Sequence, residues 1–448
     1  MEARQLFTNK QLVRLIIPLV IEQALAVLVG MCDGVMVSSV GEAAISGVSL
    51  VDMINNVVLT LFAALATGGA VVTSQFLGAR QRENARKSVG QLVLMSGSFG
   101  LVAAAVCFGF AGAMMGLFFG KIEPGVRDAG VLYLRITALS FPFIALYNAG
   151  AAMFRSVGNS RVSMKVSVLM NVINVGGNAL CIYGLHMGVE GVAIPTLVSR
   201  MVAAMCILYL AGRPGQELRL ELRDVFRVRS RMMGHILHIG IPSAFENSIF
   251  QLGRVVVVSM IALFPTYQTS ANAVANNLDG LGILIGQAIG LAMVTVVGQC
   301  IGAGDTDQAV KYMKKLMLWC CIAQGASNVL LIAFLPQLVG LYGSLSPEAR
   351  ELSGLLVLIH AGCAIVLWPA AFVLPNALRS ANDVRFTMLV SIGSMAFFRV
   401  FASWILCVQL GLGALGVWIA MVADWICRVS FFLGRTISGK WKTKYIPV

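Results

Sequence analysis

Apolar residues run in stretches of roughly 20 to 30 positions along the whole chain, broken by short polar or glycine-rich connections. About 20 helical residues cross the hydrocarbon layer of a bilayer, whereas the strands of a membrane barrel read as alternating segments of about ten. These stretches are apolar on all faces, so the pattern predicts spanning helices and an all-α, polytopic membrane fold. Twelve helices are expected, near 12–40, 45–77, 88–118, 129–154, 162–186, 188–212, 234–264, 268–300, 311–341, 349–378, 384–409 and 412–437.

The polar positions repeat as well, at an offset of 224 residues. Ile17, Pro18 and Glu22 in helix 1 match Ile241, Pro242 and Glu246 in helix 7. Val72, Gln75, Gly78, Ala85 and Lys87 match Val296, Gln299, Gly302, Ala309 and Lys311, and Arg155-Ser156 matches Arg379-Ser380. Six helices is an even number, so the two halves form a parallel repeat about an axis along the membrane normal, with a cleft expected between two six-helix lobes. The expected division is an N-lobe over 1–212, a linker over 213–233, a C-lobe over 234–437 and a tail over 438–448. The linker spaces Arg219, Arg223, Arg227 and Arg231 four apart with apolar residues between them, a pattern suited to an anionic leaflet surface.

Composition agrees: 58% of residues are hydrophobic, 12% are charged and the mean hydropathy is +0.84, which excludes a water-soluble domain. The formal charge of +13 raises the question of nucleic acid, but Lys and Arg crowd into alternate connections instead of one basic domain. Arg4, Lys10 and Arg14 precede helix 1, Arg80, Arg82, Arg86 and Lys87 follow helix 2, and Arg155, Arg161 and Lys165 follow helix 4. The linker, Lys311, Lys314, Lys315, Arg379, Arg385 and the basic tail continue the series, against Lys121, Arg127 and Arg350 on the other side. The positive-inside rule then puts both termini in the cytoplasm of a cell whose inner (plasma) membrane holds the chain. The first apolar run is too long for a cleaved signal and is expected to stay as helix 1. The ten cysteines lack metal-site spacing and read as reduced thiols, while His235 and His238 lack a third ligand and read as interfacial.

Acids inside the spans narrow the function, because an ionised carboxylate in the bilayer costs at least a few kcal/mol unless it has a partner. They are Glu22 and Asp33 in helix 1, Asp52 in helix 2, Glu246 in helix 7, Asp279 in helix 8 and Asp424 in helix 12. Asp424 stands four residues before Arg428, the order that favours an intrahelical ion pair. No Lys or Arg lies within 15 residues of Asp33, so its partner is expected to be a proton, sodium or substrate. Helix 5 presents Asn171, Asn174 and Asn178 along one face, amides able to hydrogen-bond a carboxyl group or to glue helices together, with Gly176 and Gly177 permitting close packing. Glu22 and Glu246, each four residues after a proline, are expected to border the cleft and attract organic cations.

The motifs IPLVIEQ, MCDGVMVSSVGEAAISGVS, ATGGAVVTSQFLGARQRENARK and FRSVGNSRVSM, with their second-half echoes, resemble the multidrug and toxic compound extrusion (MATE) family over nearly the whole chain. The resemblance implies a two-lobed secondary antiporter that exports lipophilic, usually cationic compounds against entering H+ or Na+. By position it implies cation coupling at Asp33, Asn174, Asn178, Thr196 and Glu246, with Glu22, Asp52 and Glu246 expected to bind substrate. Asn178 departs from the aspartate common there, and His360, Cys363 and Trp368 stand in helix 10 where some members carry an acid. No cofactor is expected beyond the coupling ion, and the expected partners are small organic cations and the lipid bilayer, with no nucleic acid, for a monomeric protein. The alternative is a flippase of lipid-linked oligosaccharides with the same superfold, which intramembrane Arg135, Arg200, Arg254 and Arg399 would favour if they faced the cavity. No HExxH, GxSxG or Walker A pattern supports an enzyme or an ATP-driven pump.

Overall fold

Residues 5–120, 123–342 and 345–444 are described by a computed structural model. Arg4, Lys121 and the last four positions of the tail lie outside them. The described residues form helices and no strand, and ten helices are long and apolar enough to cross a membrane, or twelve spans if each of two bent pairs counts as one. In chain order the spans are α1 (Asn9–Ser38), α2 (Glu42–Gly78), α3 (Arg82–Gly109), α4 (Pro124–Ala138 with Phe141–Ser156), α5 (Ser160–Gly184) and α6 (Glu190–Gly212). The second half continues with α7 (Ser230–Ile261), α8 (Thr266–Gly302), α9 (Thr306–Ala333), α10 (Pro347–Ala364 with Pro369–Ser380), α11 (Val384–Gln409) and α12 (Gly413–Ile437).

The fourth span of each half is the broken one, bent by 45° in α4 and 67° in α10. Pro142 and Pro369 lie in the first turn of each second arm, where the missing N–H costs nothing but the preceding helix cannot run through. Pro18 and Pro242, by contrast, sit inside α1 and α7 without ending either helix. The end of α5 and most of α11 widen into π-type turns, over Leu180–Gly184, Met395–Ala402 and Trp404–Gln409.

Two compact units result, Asn9–Ala244 and Phe245–Val448, with the boundary inside α7 and the opening residues through Thr8 belonging to the second. In the first unit α2 packs on α3 and on both arms of α4, α3 on the second arm of α4, and α5 between α1 and α6. In the second, α8 is the central helix and touches α9, both arms of α10, and α12.

The linker is pinned to α3 rather than left as a tether. Its helix, Leu222–Phe226, offers Glu221 and the buried Asp224 to Arg86 at 2.7 and 2.8 Å. Gln91 of α3 donates to the carbonyls of Asp224 (2.8 Å) and Arg227 (3.0 Å) and accepts from the Arg229 amide at 2.8 Å. A Cβ on Gly90 would meet the Asp224 carbonyl at 2.6 Å, so the close approach needs glycine there.

Candidate functional site

A cavity of about 570 Å³ opens within the first unit, walled by α1, α2, α4, α5 and α6. Three sequence patterns converge on it. Helix α1 brings Gly30, Asp33 and Gly34, α2 brings Asp52 and, one turn on, Asn55 and Asn56, and α5 brings Asn171 and Asn174 from its amide stripe. The glycines leave α1 without bulk beside Asp33, and Cβ atoms there would meet nothing within 4 Å.

Asn178 donates its amide to Oδ1 of Asp33 at 2.8 Å, and Asn174 donates to Oγ1 of Thr196 at 3.0 Å. Thr196 in turn donates to the Val192 carbonyl at 2.9 Å, which fixes its oxygen as an acceptor toward Asn174. Asp52 lines the same cavity beside Asn55 and Tyr133. Of the five residues expected together, Asp33, Asn174 and Thr196 line this cavity with Asp52, Asn178 reaches it through its bond to Asp33, and Glu246 lies elsewhere.

Arg200 is the member whose place only the fold reveals. It reaches the cavity from α6, donates to Oγ of Ser140 at 2.8 Å, and lies within electrostatic reach of Asp33, Asp52 and Tyr133. The cavity therefore holds two acids and one guanidinium, not a lone Asp33. The buried amide oxygens of Asn55, Asn174 and Asn178 are left without a hydrogen-bond donor, so the site retains acceptors that a proton carrier or cation would fill. Asn55 was legible in principle, since it follows Asp52 by three positions on the same helical face; nothing along the chain singles out Tyr133.

Glu22 and Glu246 do not line this cavity; each forms an ion pair inside its own unit. Glu22 lies 3.7 Å from Arg155 NH1 and accepts from Ser163 (3.1 Å) and Tyr147 (3.4 Å). Glu246 lies 2.6 Å from Arg379 NH2. The two pairs occupy repeat-equivalent positions, as do the bonds from Ser156 to the Ala70 carbonyl (3.2 Å) and from Ser380 to the Val294 carbonyl (3.4 Å). Each glutamate is neutralised inside its own unit, latching the first span of each half to the fourth. Its negative charge is therefore largely spent on an arginine.

Asp424 and Arg428 form the expected intrahelical pair, with Nε 3.1 and 3.2 Å from the carboxylate oxygens, and Ser394 also donates to Asp424. All ten cysteines are free, and no cluster of three metal-ligating side chains occurs among the described residues.

Ten to twelve apolar spans among the described residues, an internal duplication and a polar cavity within a helical bundle define a polytopic membrane transporter. The MatE family profile matches residues 18–180 and again 242–405, starting 224 positions apart like the repeat. The chain belongs to this family of multidrug efflux transporters. It is similar to the uncharacterized transporter YisQ of Bacillus subtilis, 29% identical over 438 residues that cover 95% of this chain and 94% of that one. A probable multidrug resistance protein NorM of Thermotoga maritima is 24% identical over 452 residues, covering 98% and 94%. Among solved structures, a multidrug resistance MATE family transporter of the MOP superfamily in an outward-facing conformation matches at a TM-score of 0.90 with 21% identity, over 97% of this chain and 96% of that one. A MOP superfamily transporter from Pyrococcus furiosus, titled for the reversed polarity of its binding pocket, matches at 0.86 with 22% identity over the same shares.

Proposed function

We propose that the chain exports lipophilic cationic compounds in exchange for protons, with Asp33 as the proton-carrying group of the N-terminal cavity. The observation that supports this most is the company Asp33 keeps. Position 178 supplies a neutral amide in place of a second carboxylate beside Asp33, and Arg200 already places a positive charge in the same cavity, so a sodium ion here would have one negative charge fewer to balance it and a cation to compete with. A carboxyl group needs less. It takes a proton when water reaches it from the acidic side and releases it when the cavity opens to the other side, with the Asn178 amide holding the ionised form. An organic cation would compete for the same two acids, Asp33 and Asp52, which is the condition for exchange. Alternating access of the two lobes in the plasma membrane, with both termini cytoplasmic, completes this reading.

Arg200 also favours the second reading, a flippase for a pyrophosphate-linked lipid, because a guanidinium in the cavity is what such a head group requires. The test is efflux of ethidium from proteoliposomes under imposed H+ or Na+ gradients, comparing the wild type with Asp33→Asn. Efflux driven by an inward proton gradient and lost in Asp33→Asn is expected. A strict sodium requirement overturns the ion. Translocation of a pyrophosphate lipid, without gradient-driven cation efflux, overturns the class of substrate.

A further inference from the structure

The linker between α6 and α7 has two faces, and contacts within the first unit occupy only one of them. Leu218, Asp224 and Val225 point inward and are buried. The three acids of the linker are all answered inside the unit: Glu217 by Arg82 at 3.6 Å, Glu221 by Arg86 at 2.7 Å, and Asp224 by Arg86 at 2.8 Å and Arg229 at 3.3 Å. The outward face is left apolar and cationic. Leu222, Phe226 and Val228 are 74, 75 and 67% exposed. Arg223, Arg227 and Arg231, interleaved with them along the chain, are also exposed and pair with no acid among the described residues.

What lies against this face follows from its depth. Leu220 donates its amide to the Ala211 carbonyl at 2.9 Å, inside the last turn of α6, and Arg219 donates Nε to the Gly212 carbonyl at 3.1 Å. The chain therefore doubles back along the end of the span instead of running out from it. On α3 the linker meets Gly90 and Gln91, past Lys87, the last charged residue of that helix, and about 12 Å along it from its start at Arg82. Both contacts hold the linker at the level where the spans become apolar. Its two ends are themselves ends of spans, Gly212 of α6 and Ser230 of α7. A lipid leaflet is the surface found at that level.

We propose that the outward face of the linker is a docking site for anionic phospholipid, whose phosphates meet Arg223, Arg227 and Arg231 while Leu222, Phe226 and Val228 enter the acyl boundary. Guanidinium groups present paired donors that match phosphate oxygens. A basic amphipathic segment in the interface combines this attraction with apolar burial. A soluble acidic partner would match the arginines but leave the apolar side chains without their lipid. A zwitterionic lipid offers the same acyl chains without net charge, so selectivity for charge is the signature of the site. Lipid that binds the docked linker also lowers the fraction of time the linker spends open, and its amides then exchange more slowly.

The experiment is hydrogen–deuterium exchange of the full-length protein, read by mass spectrometry over residues 219–229. It compares nanodiscs of phosphatidylcholine with nanodiscs that also contain phosphatidylglycerol, at one ionic strength. An arginine near an anionic surface is worth about fivefold in an equilibrium, so exchange is expected to be slower by about tenfold or more in the anionic nanodiscs. The triple variant Arg223→Gln, Arg227→Gln, Arg231→Gln is expected to exchange alike in both bilayers. Leu222→Ser with Phe226→Ser is expected to lose most of the protection. All five substituted positions are exposed, and unchanged exchange in the interior of α3 checks that each variant is folded. Equal exchange of the wild type in both bilayers, or protection that survives the triple variant, overturns the proposal. So does equal protection in phosphatidylcholine nanodiscs on adding soluble glycerophosphoglycerol, because the head group would then suffice without the membrane. Both leaflets carry the same lipid and no transport is measured, so failure here leaves the orientation and the Asp33 reading untouched.

Discussion

A carboxylate inside a helix bundle persists only beside a partner, and this chain supplies partners of two kinds. Glu22 and Glu246 are held by Arg155 and Arg379, each pair mostly shielded from solvent. Removing one member of a buried pair strands the other charge, at a cost of about 3–5 kcal/mol, whereas removing both charges is nearly neutral. Arg155→Ala is therefore expected to lower the melting temperature of the detergent-solubilised protein markedly, and Glu22→Gln with Arg155→Gln to recover most of the loss; equal losses in both variants would mean that the latch is not electrostatic. Asp33 and Asp52 instead share Arg200 and a ring of amides. If Arg200 and Asn178 are what exclude sodium, Arg200→Met combined with Asn178→Asp gains a sodium-dependent rise in melting temperature that the wild type lacks. A sodium-dependent rise in the wild type would contradict the proton reading directly.

At the scale of elements, the breaks matter more than the helices. Pro142 and Pro369 bend the fourth span of each half. The linker is fixed by three hydrogen bonds to one side chain, Gln91, and by the missing side chain of Gly90. A net hydrogen bond contributes about 1 kcal/mol, and a tenfold change in an opening equilibrium corresponds to about 1.4 kcal/mol. Gln91→Leu is expected to raise the rate of tryptic cleavage in the 213–231 segment by roughly tenfold or more. Gly90→Val, which forces a branched side chain into the Asp224 backbone, is expected to do at least as much. Unchanged cleavage in both variants would show that other contacts hold the linker.

At the scale of the molecule, the chain is a duplication whose opening residues through Thr8 join the second unit. Phe7, near the start, exchanges two hydrogen bonds with the Tyr312 hydroxyl of the second unit, at 2.9 and 2.6 Å, and its ring meets that of Tyr312 edge-on. Tyr312→Phe keeps the ring contact and deletes both bonds, so amide exchange at Leu6 and Phe7 is expected to quicken by about tenfold, read by mass spectrometry. The duplication also makes a paired forecast. Ser156→Ala and Ser380→Ala remove equivalent bonds to α2 and α8, and their effects on melting temperature are expected to agree to within about 0.5 kcal/mol. A large difference would show that the two units have diverged in packing despite the repeat.

The sequence by itself determined the all-α class, the span positions and the repeat, because the hydrocarbon layer imposes length and polarity on each segment separately. It also determined which acids had to be explained, and it grouped Asp33 with Asn174, Asn178 and Thr196 through the family resemblance. Partner choice was beyond it. Glu22 meets Arg155 across 133 residues of chain, and Asp33 meets Asn178 across 145. Such pairings depend on how helices rotate and cross, which no local period records. Only the tertiary structure decided that Arg200 enters the cavity, that both glutamates are neutralised, and that the linker docks on α3.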